Sequence, residues 1–222
     1  FTPGPWKEAK ATFYGAPDGS GTIGGACGYE DDMRDAFGVR TAALSAALFK
    51  DAQACGSCYE IRCAQGNDGC RQPAETVQVT ATNLCPSGGW CSYPNEHFDM
   101  SQPAFLQIAK YEAGVVPVQY RRVPCKKNGG IRFKITGNPN FNLVTITNVG
   151  GAGDVTKVEV RTVDLPWTEL KRNWGEKWEI DSQLLGRRLT FRITTSDGGR
   201  LTLRRVAPVN WQFGQTYETR NY

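Results

Sequence analysis

Lys126-Lys127-Asn128-Gly129-Gly130-Ile131-Arg132-Phe133-Lys134-Ile135-Thr136 is the stretch on which the architecture turns. Its first part is polar and glycine-rich, the composition of a connector between folded units. Its second part alternates apolar with polar side chains, the period of a strand with one buried face. Cys125 stands just before it, and no cysteine follows in the rest of the chain. Two units are therefore predicted, 1–127 and 128–222.

Downstream the alternation continues. Val158 and Val160 alternate with Lys157, Glu159 and Arg161, and Leu189, Phe191 and Ile193 with Arg188, Thr190 and Arg192. An Asp197-Gly198 turn joins that last run to Leu201-Thr202-Leu203 as a hairpin. Short strands parted by turns predict an antiparallel β-sandwich. Upstream, Tyr59-Glu60-Ile61-Arg62, Thr76-Val77-Gln78-Val79-Thr80 and residues 118–123 read as half-buried strands. Ser101-Gln102-Pro103 opens a helix predicted over 104–112 and ended by Gly114. Residues 41–49 are apolar core, as helix or as strand. Mainly β structure with one packed helix suits a small barrel.

A chain of 222 residues is long enough for two such units. No apolar run is long enough to span a membrane. Through Lys127 there are 12 Lys+Arg against 13 Asp+Glu, and after it 14 against 9, so the basic excess lies in the second unit. That excess suits weak attraction to a polyanion such as pectin. No basic run or motif supports a nucleic-acid partner. All eight cysteines fall between Cys27 and Cys125. Cys55-Gly-Ser-Cys58 has zinc-ligand spacing, but one histidine and no second tight pair favour disulfides, an oxidising compartment and no metal. Phe1 follows no charged-then-apolar leader, which reads as a mature secreted form.

The chemistry centres on Pro94-Asn95-Glu96-His97-Phe98-Asp99-Met100, which holds the only histidine. Asp99 is the candidate acid if a polysaccharide is handled here. Most glycoside hydrolases need a second carboxylate as base or nucleophile, and the one cluster on offer is Glu30-Asp31-Asp32-Met33-Arg34-Asp35. In Ala11-Thr12-Phe13-Tyr14-Gly15 a strand would put Thr12 and Tyr14 on one face, lining a polar groove or half-buried in a sheet. In Phe141-Asn142-Leu143-Val144-Thr145-Ile146-Thr147, Val144 and Ile146 read as core. Phe141 then falls on the solvent side with Thr145 and Thr147. Trp167, Trp174, Trp178, Trp211 and Phe213 supply further rings, which in an exposed row could stack on sugars.

These pieces carry a resemblance. Ala11-Thr12-Phe13-Tyr14-Gly15, Gly25-Ala26-Cys27-Gly28-Tyr29, Cys55-Gly56-Ser57-Cys58-Tyr59-Glu60, His97-Phe98-Asp99, Tyr120-Arg121-Arg122-Val123-Pro124-Cys125, Ile146-Thr147-Asn148-Val149-Gly150-Gly151 and Trp211-Gln212-Phe213-Gly214 together make the whole chain resemble a plant expansin of the α type. The resemblance implies a six-stranded double-psi β-barrel, like that of certain endoglucanases, followed by an immunoglobulin-like cellulose-binding β-sandwich. It implies a secreted, monomeric wall protein that loosens contacts between cellulose and matrix glycans such as xyloglucan without hydrolysis or cofactor. The alternative is an inverting β-1,4-glucanase with Asp99 as general acid. By the same resemblance Asp99 is essential to activity. Thr12, Tyr14, Asn83 and His97 belong to the groove, and Phe141 and Trp174 form a planar aromatic pair, with Trp167 and Trp178 less firmly placed. Asn83 stands where relatives of other types carry Asp. The implied disulfides are Cys27–Cys55, Cys58–Cys125, Cys63–Cys70 and Cys85–Cys91. The loop Cys85-Pro86-Ser87-Gly88-Gly89-Trp90-Cys91 departs from the usual α pattern, as does the acidic cluster.

Overall fold

The computed structural model describes residues 1–30 and 33–220. Six strands close a barrel: β1 (Lys7–Tyr14), β2 (Thr41–Leu44), β3 (Cys58–Cys63), β4 (Thr76–Leu84), β5 (His97–Ser101) and β6 (Val116–Val123). Their order around the barrel is β1-β5-β2-β4-β3-β6. β1 runs parallel to β5 and β2 parallel to β4, while the other neighbours are antiparallel. This is the expected double-psi barrel. Alternation along each strand sends Ala11, Ile61, Val79, Phe98, Met100 and Val118 into a shared core.

Among the described residues three short helices accompany the barrel: α1 (Met33–Phe37), α2 (Ala46–Phe49) and α3 (Gln102–Ile108). Residues 41–49 are thus both things that periodicity allowed, strand β2 followed by helix α2. The predicted helix over 104–112 is shorter and starts earlier. The Ser101 hydroxyl donates to the Val39 carbonyl instead of capping the helix. Ala109 leaves helical geometry at φ −140° and pairs with Cys70, so the loop held by Cys63–Cys70 captures the backbone that would have continued the helix. A 3-10 turn (Tyr111–Ala113) follows and ends at Gly114.

The second half stacks two antiparallel sheets. One has the order β10-β9-β13-β14, built from β9 (Val155–Arg161), β10 (Thr168–Glu169), β13 (Leu189–Thr195) and β14 (Arg200–Ala207). The other has the order β11-β12-β8-β7-β15, built from β7 (Arg132–Asn138), β8 (Phe141–Thr147), β11 (Lys171–Trp174), β12 (Lys177–Ile180) and β15 (Thr216–Glu218). Phe133 stacks on Phe191 across the two, at 4.6 Å between centroids, in a core with Ile135, Val144, Val160 and Trp211. This is the expected immunoglobulin-like sandwich.

The polar connector 126–130 is tied down. The Asn148 amide donates to the carbonyls of Asn128 and Gly130, Glu218 accepts from Gly130 N–H, and Lys127 lies over the Phe37 ring. The halves also meet backbone to backbone. A Cβ on Gly153 would stand 2.3 Å from the Gly56 carbonyl oxygen and 2.4 Å from Cys125 Sγ, so only glycine fits there. Arg172 spans the junction, donating to Ala52 O on one side and Val155 O on the other.

Candidate functional site: a polar groove across four strands

The register of the barrel lines up residues far apart in sequence. Thr12 on β1 pairs with Asp99 on β5, Asp99 with Ala43 on β2, and Ala43 with Asn83 on β4. Directly paired residues share a face, so these four form one row across four strands. Ala43, small and almost wholly covered, is its floor. Asp99 and Asn83 flank that floor with their backbones two strand spacings apart, about 10 Å.

Thr12 Oγ1 donates to Asp99 Oδ1 at 2.9 Å and lies 2.8 Å from His97 Nε2. A hydroxyl has one proton, so while it donates to Asp99 it must accept from Nε2–H. His97, grouped with the substrate-binding residues from the sequence, is only 1% exposed. It stands behind Thr12 and meets the polar row through that hydroxyl. Burial and the Lys10 charge pull its pKa down to about 4, so the ring is neutral. The Asp99 carboxyl is pushed up by burial, partly offset by the Thr12 hydrogen bond. It therefore holds its proton to higher pH than a free aspartate.

Asn83 serves the neighbouring loop. Its Oδ1 accepts from the N–H groups of Ala26 (2.8 Å) and Leu84 (2.9 Å), and its Nδ2 faces the Tyr14 hydroxyl at 3.5 Å. Gly25, at φ +112°, lies against the amide so closely that a Cβ would come within 2.5 Å of it. Tyr14 completes the β1 side of the groove, its phenol pKa raised by burial. In the acidic cluster, Asp31 and Asp32 lie outside the described residues. Glu30 pairs with Lys177 of the second half at 3.5 Å, and the Asp35 carbonyl accepts from Arg132.

On the sandwich, Phe141 is 36% and Trp174 43% exposed. Pairing of Lys177 with both Trp174 and Thr145 puts these residues on one face of the sheet with Phe141. They are two strands and four residues apart, roughly 15 Å, and Leu143 lies on the same face. The Trp174 ring touches Gly28 of the barrel, in the loop that Asn83 anchors. Thr145 and Thr147, expected on the solvent side, are buried. Lys177 folds over that end of the face and donates to Thr145 Oγ1. Trp178 and Trp211 are core, and Trp167 lies under the guanidinium groups of Arg161 and Arg192.

The structure joins Cys27 to Cys55, Cys58 to Cys125, Cys63 to Cys70 and Cys85 to Cys91, the pairing carried over from the family. No cluster with metal-ligand geometry occurs among the described residues. Sequence reading passed over Ala43 and Lys10. All of β2 is buried, so no periodicity singles Ala43 out. Trp90, preceded by two glycines and followed by a disulfide cysteine, is a ring on a short closed loop, a local signal that a sequence does carry.

Fold and groove define a two-domain protein of the barrel-and-sandwich class, with the Asp99 carboxylate set in the polar row of the barrel. The description "Expansin C-terminal domain" matches residues 131–208, and a double-psi barrel family described as "Lytic transglycolase" matches residues 41–120. Expansin-A32 of Oryza sativa subsp. japonica is 54% identical over 232 residues, covering 100% of this chain and 86% of that one. Expansin-A22 of Arabidopsis thaliana is 49% identical over 221 residues, covering 97% and 78%. The crystal structure of apo Clavibacter michiganensis expansin superposes with a TM-score of 0.73 at 20% identity, over 97% of this chain and 96% of that one. An aspartate-to-asparagine mutant of that bacterial protein, in complex with cellohexaose, matches with the same TM-score and coverage. The chain belongs to the expansin family, and within it to the α type.

Proposed function

We propose that this expansin loosens plant cell walls by disrupting non-covalent contacts between cellulose and matrix glycans such as xyloglucan, and that it does so without hydrolysis. The observation that carries this reading is the row Thr12-Asp99-Ala43-Asn83, which has a carboxylic acid on one side of the floor and an amide on the other. An inverting glycosidase needs two carboxyl groups about 6.5–9.5 Å apart, one to protonate the leaving oxygen and one to activate water. The backbone separation here suits such a pair, but Asn83 is neutral and has its oxygen taken by two N–H groups, so it is no base. Protonated Asp99 can donate to a glucan oxygen, and Asn83, across the floor from it, does not carry cleavage forward.

In this reading Asp99, Thr12, Tyr14 and Asn83 grip one glycan in the barrel, residues 1–127. Phe141 and Trp174 hold a cellulose chain on the sandwich, residues 128–222. The cellohexaose complex of the structurally similar bacterial expansin supports a cellulosic partner. The raised Asp99 pKa supports activity in acidic walls, and secretion to the wall as a monomer belongs to the same reading.

Asp99→Asn should abolish acid-induced creep of heat-killed walls under load while leaving cellulose binding within about twofold. Normal creep by Asp99→Asn at acid pH would remove the groove from the mechanism. Asn83→Asp keeps an acceptor for Ala26 and Leu84 N–H and frees a second oxygen, so it asks whether a restored carboxylate gives hydrolysis. Reducing-sugar release from soluble β-glucan by the parent protein would instead favour the glucanase alternative.

A further inference from the structure

The groove does not end at Thr12. Along β1 the side chains of Lys10, Thr12 and Tyr14 fall on one face, and Lys10 pairs with His97 just as Thr12 pairs with Asp99. Lys10 places its ammonium over the Trp90 ring, 4.2 Å from the centroid. Trp90 is nevertheless 47% exposed, and Tyr93 on the same loop is more exposed still. The loop is braced. The Cys85–Cys91 disulfide closes it, and a 3-10 turn (Gly89–Cys91) fixes the backbone on either side of the indole.

Beside the indole opens a cavity of about 480 Å³, whose lining includes Trp90, Lys10, Glu8, Asn95, Glu96 and Gln119. That is the size of a pocket for a small ligand or a few sugar rings. Its chemistry selects among occupants. Two carboxylates against one ammonium disfavour a uronate or a phosphate, and Lys10 is already engaged by the indole. Glu96 accepts from the Tyr120 hydroxyl, and Gln119 accepts from Arg62 through its carbonyl, which leaves its amide to donate. Asn95 and Gln119 together offer donors and an acceptor. A half-exposed indole amid such groups suits a neutral pyranose, which has an apolar face and a hydroxyl rim. A braced loop presents the ring with little ordering cost.

We infer that Trp90 and Lys10 form a second sugar subsite of the barrel, binding neutral pyranose rings of the same glycan that passes Asp99. It rests on the polysaccharide reading above. Lys10 and Thr12 are two residues apart, about 7 Å along the strand, so one continuous chain reaches both places and a single sugar does not. The barrel therefore selects for length: a polymer engages Asp99 and Trp90 together, and a short fragment engages one of them.

The test follows the six indole N–H resonances of the full protein during titration with cellohexaose. Trp90→Phe and Trp174→Phe assign the two signals of interest. The expected result is movement of both the Trp90 and the Trp174 signals. In a Trp174→Ala background, which removes the sandwich ring, Trp90→Ala should then raise the cellohexaose Kd about tenfold. Trp90→Phe should recover most of that loss, and cellotriose should show a smaller effect. Movement of the Trp174 signal with a silent Trp90 overturns the subsite and leaves the cellulose reading standing. An unchanged Kd on Trp90→Ala does the same. If no indole signal moves, the polysaccharide reading falls and takes the subsite with it.

Discussion

A buried imidazole with one hydrogen bond sets the polarity of the groove. Among the described residues His97 Nδ1 has no hydrogen-bond partner, and Nε2 meets Thr12. With Thr12 donating to Asp99 Oδ1, the ring is held as the Nε2–H tautomer. The Asp99 proton is then carried on the other oxygen, the one free to meet a ligand. Because the chain has a single histidine, its ¹⁵N spectrum reads this directly. The Nε2–H form should persist from pH 8 to 5, and an Nδ1–H tautomer or a midpoint near 6.5 would contradict the assignment. The same group bears on stability. His97 has its pKa lowered from 6.5 to about 4, so the unfolded chain takes up its proton first and stability falls as pH drops through that window. Glu176 does the opposite. Burial raises it from 4.5 to about 7 against the pull of Arg172, so the folded state takes up its proton first and stability rises as pH falls from about 7 to 4.5. Asp99 adds to the Glu176 effect. Glu176→Gln should therefore make the melting temperature fall on acidification from pH 7.5 to 4.5, and His97→Gln should make it rise. The slope decides, whatever each substitution does to the level. Asp99 was legible because it stands in a short motif. The place of His97 was not, since it depends on a parallel pairing between strands more than eighty residues apart in sequence.

At the scale of elements, the β11–β12 hairpin separates two tryptophans by exposure. Trp178 is 4% exposed, and its indole N–H donates to Glu176 in the sandwich core. Trp174, past a bulge on the paired strand, is turned to the outside. Trp178→Ala should lower unfolding free energy by about 3–5 kcal/mol, the cost of emptying a large core position. Trp174→Ala should leave the denaturation midpoint nearly unchanged and weaken binding to crystalline cellulose, with Phe141→Ala weakening it too. A Trp174→Ala protein that binds cellulose like the parent would take that ring out of the platform. Alternation identified the core face of β8 through Val144 and Ile146. It could not show that Thr145 and Thr147 are covered, because a binary pattern tells which residues avoid water in one sheet and not which neighbour shields its other side. Nor could it separate Trp174 from Trp178, since a turn lies between them and the bulge between Arg172 and Trp174 breaks the period that a face assignment requires.

For the whole molecule, the sequence suggested a connector, and composition alone gives 126–130 the look of a tether. What composition omits is the set of partners from both halves that hold it. Gly153 is the sharpest point of that junction. At φ +78° and 2.3 Å from the Gly56 carbonyl oxygen, an added methyl group meets both backbone strain and a collision. The parent should unfold in a single cooperative step, and Gly153→Ala should split the calorimetric transition into two. A parent that already melts in two independent steps would show that the junction does not couple the halves. If it couples them, the protein has little slack. A pair of grips joined by a loose cord lets each ride on its own polymer, so that a pull on one merely straightens the cord. Here backbone lies on backbone and a guanidinium bolts one side to the other. Tension on a chain held at the aromatic face would then pass to the barrel as torque, and a sliding wall would do the work of prising a glycan away.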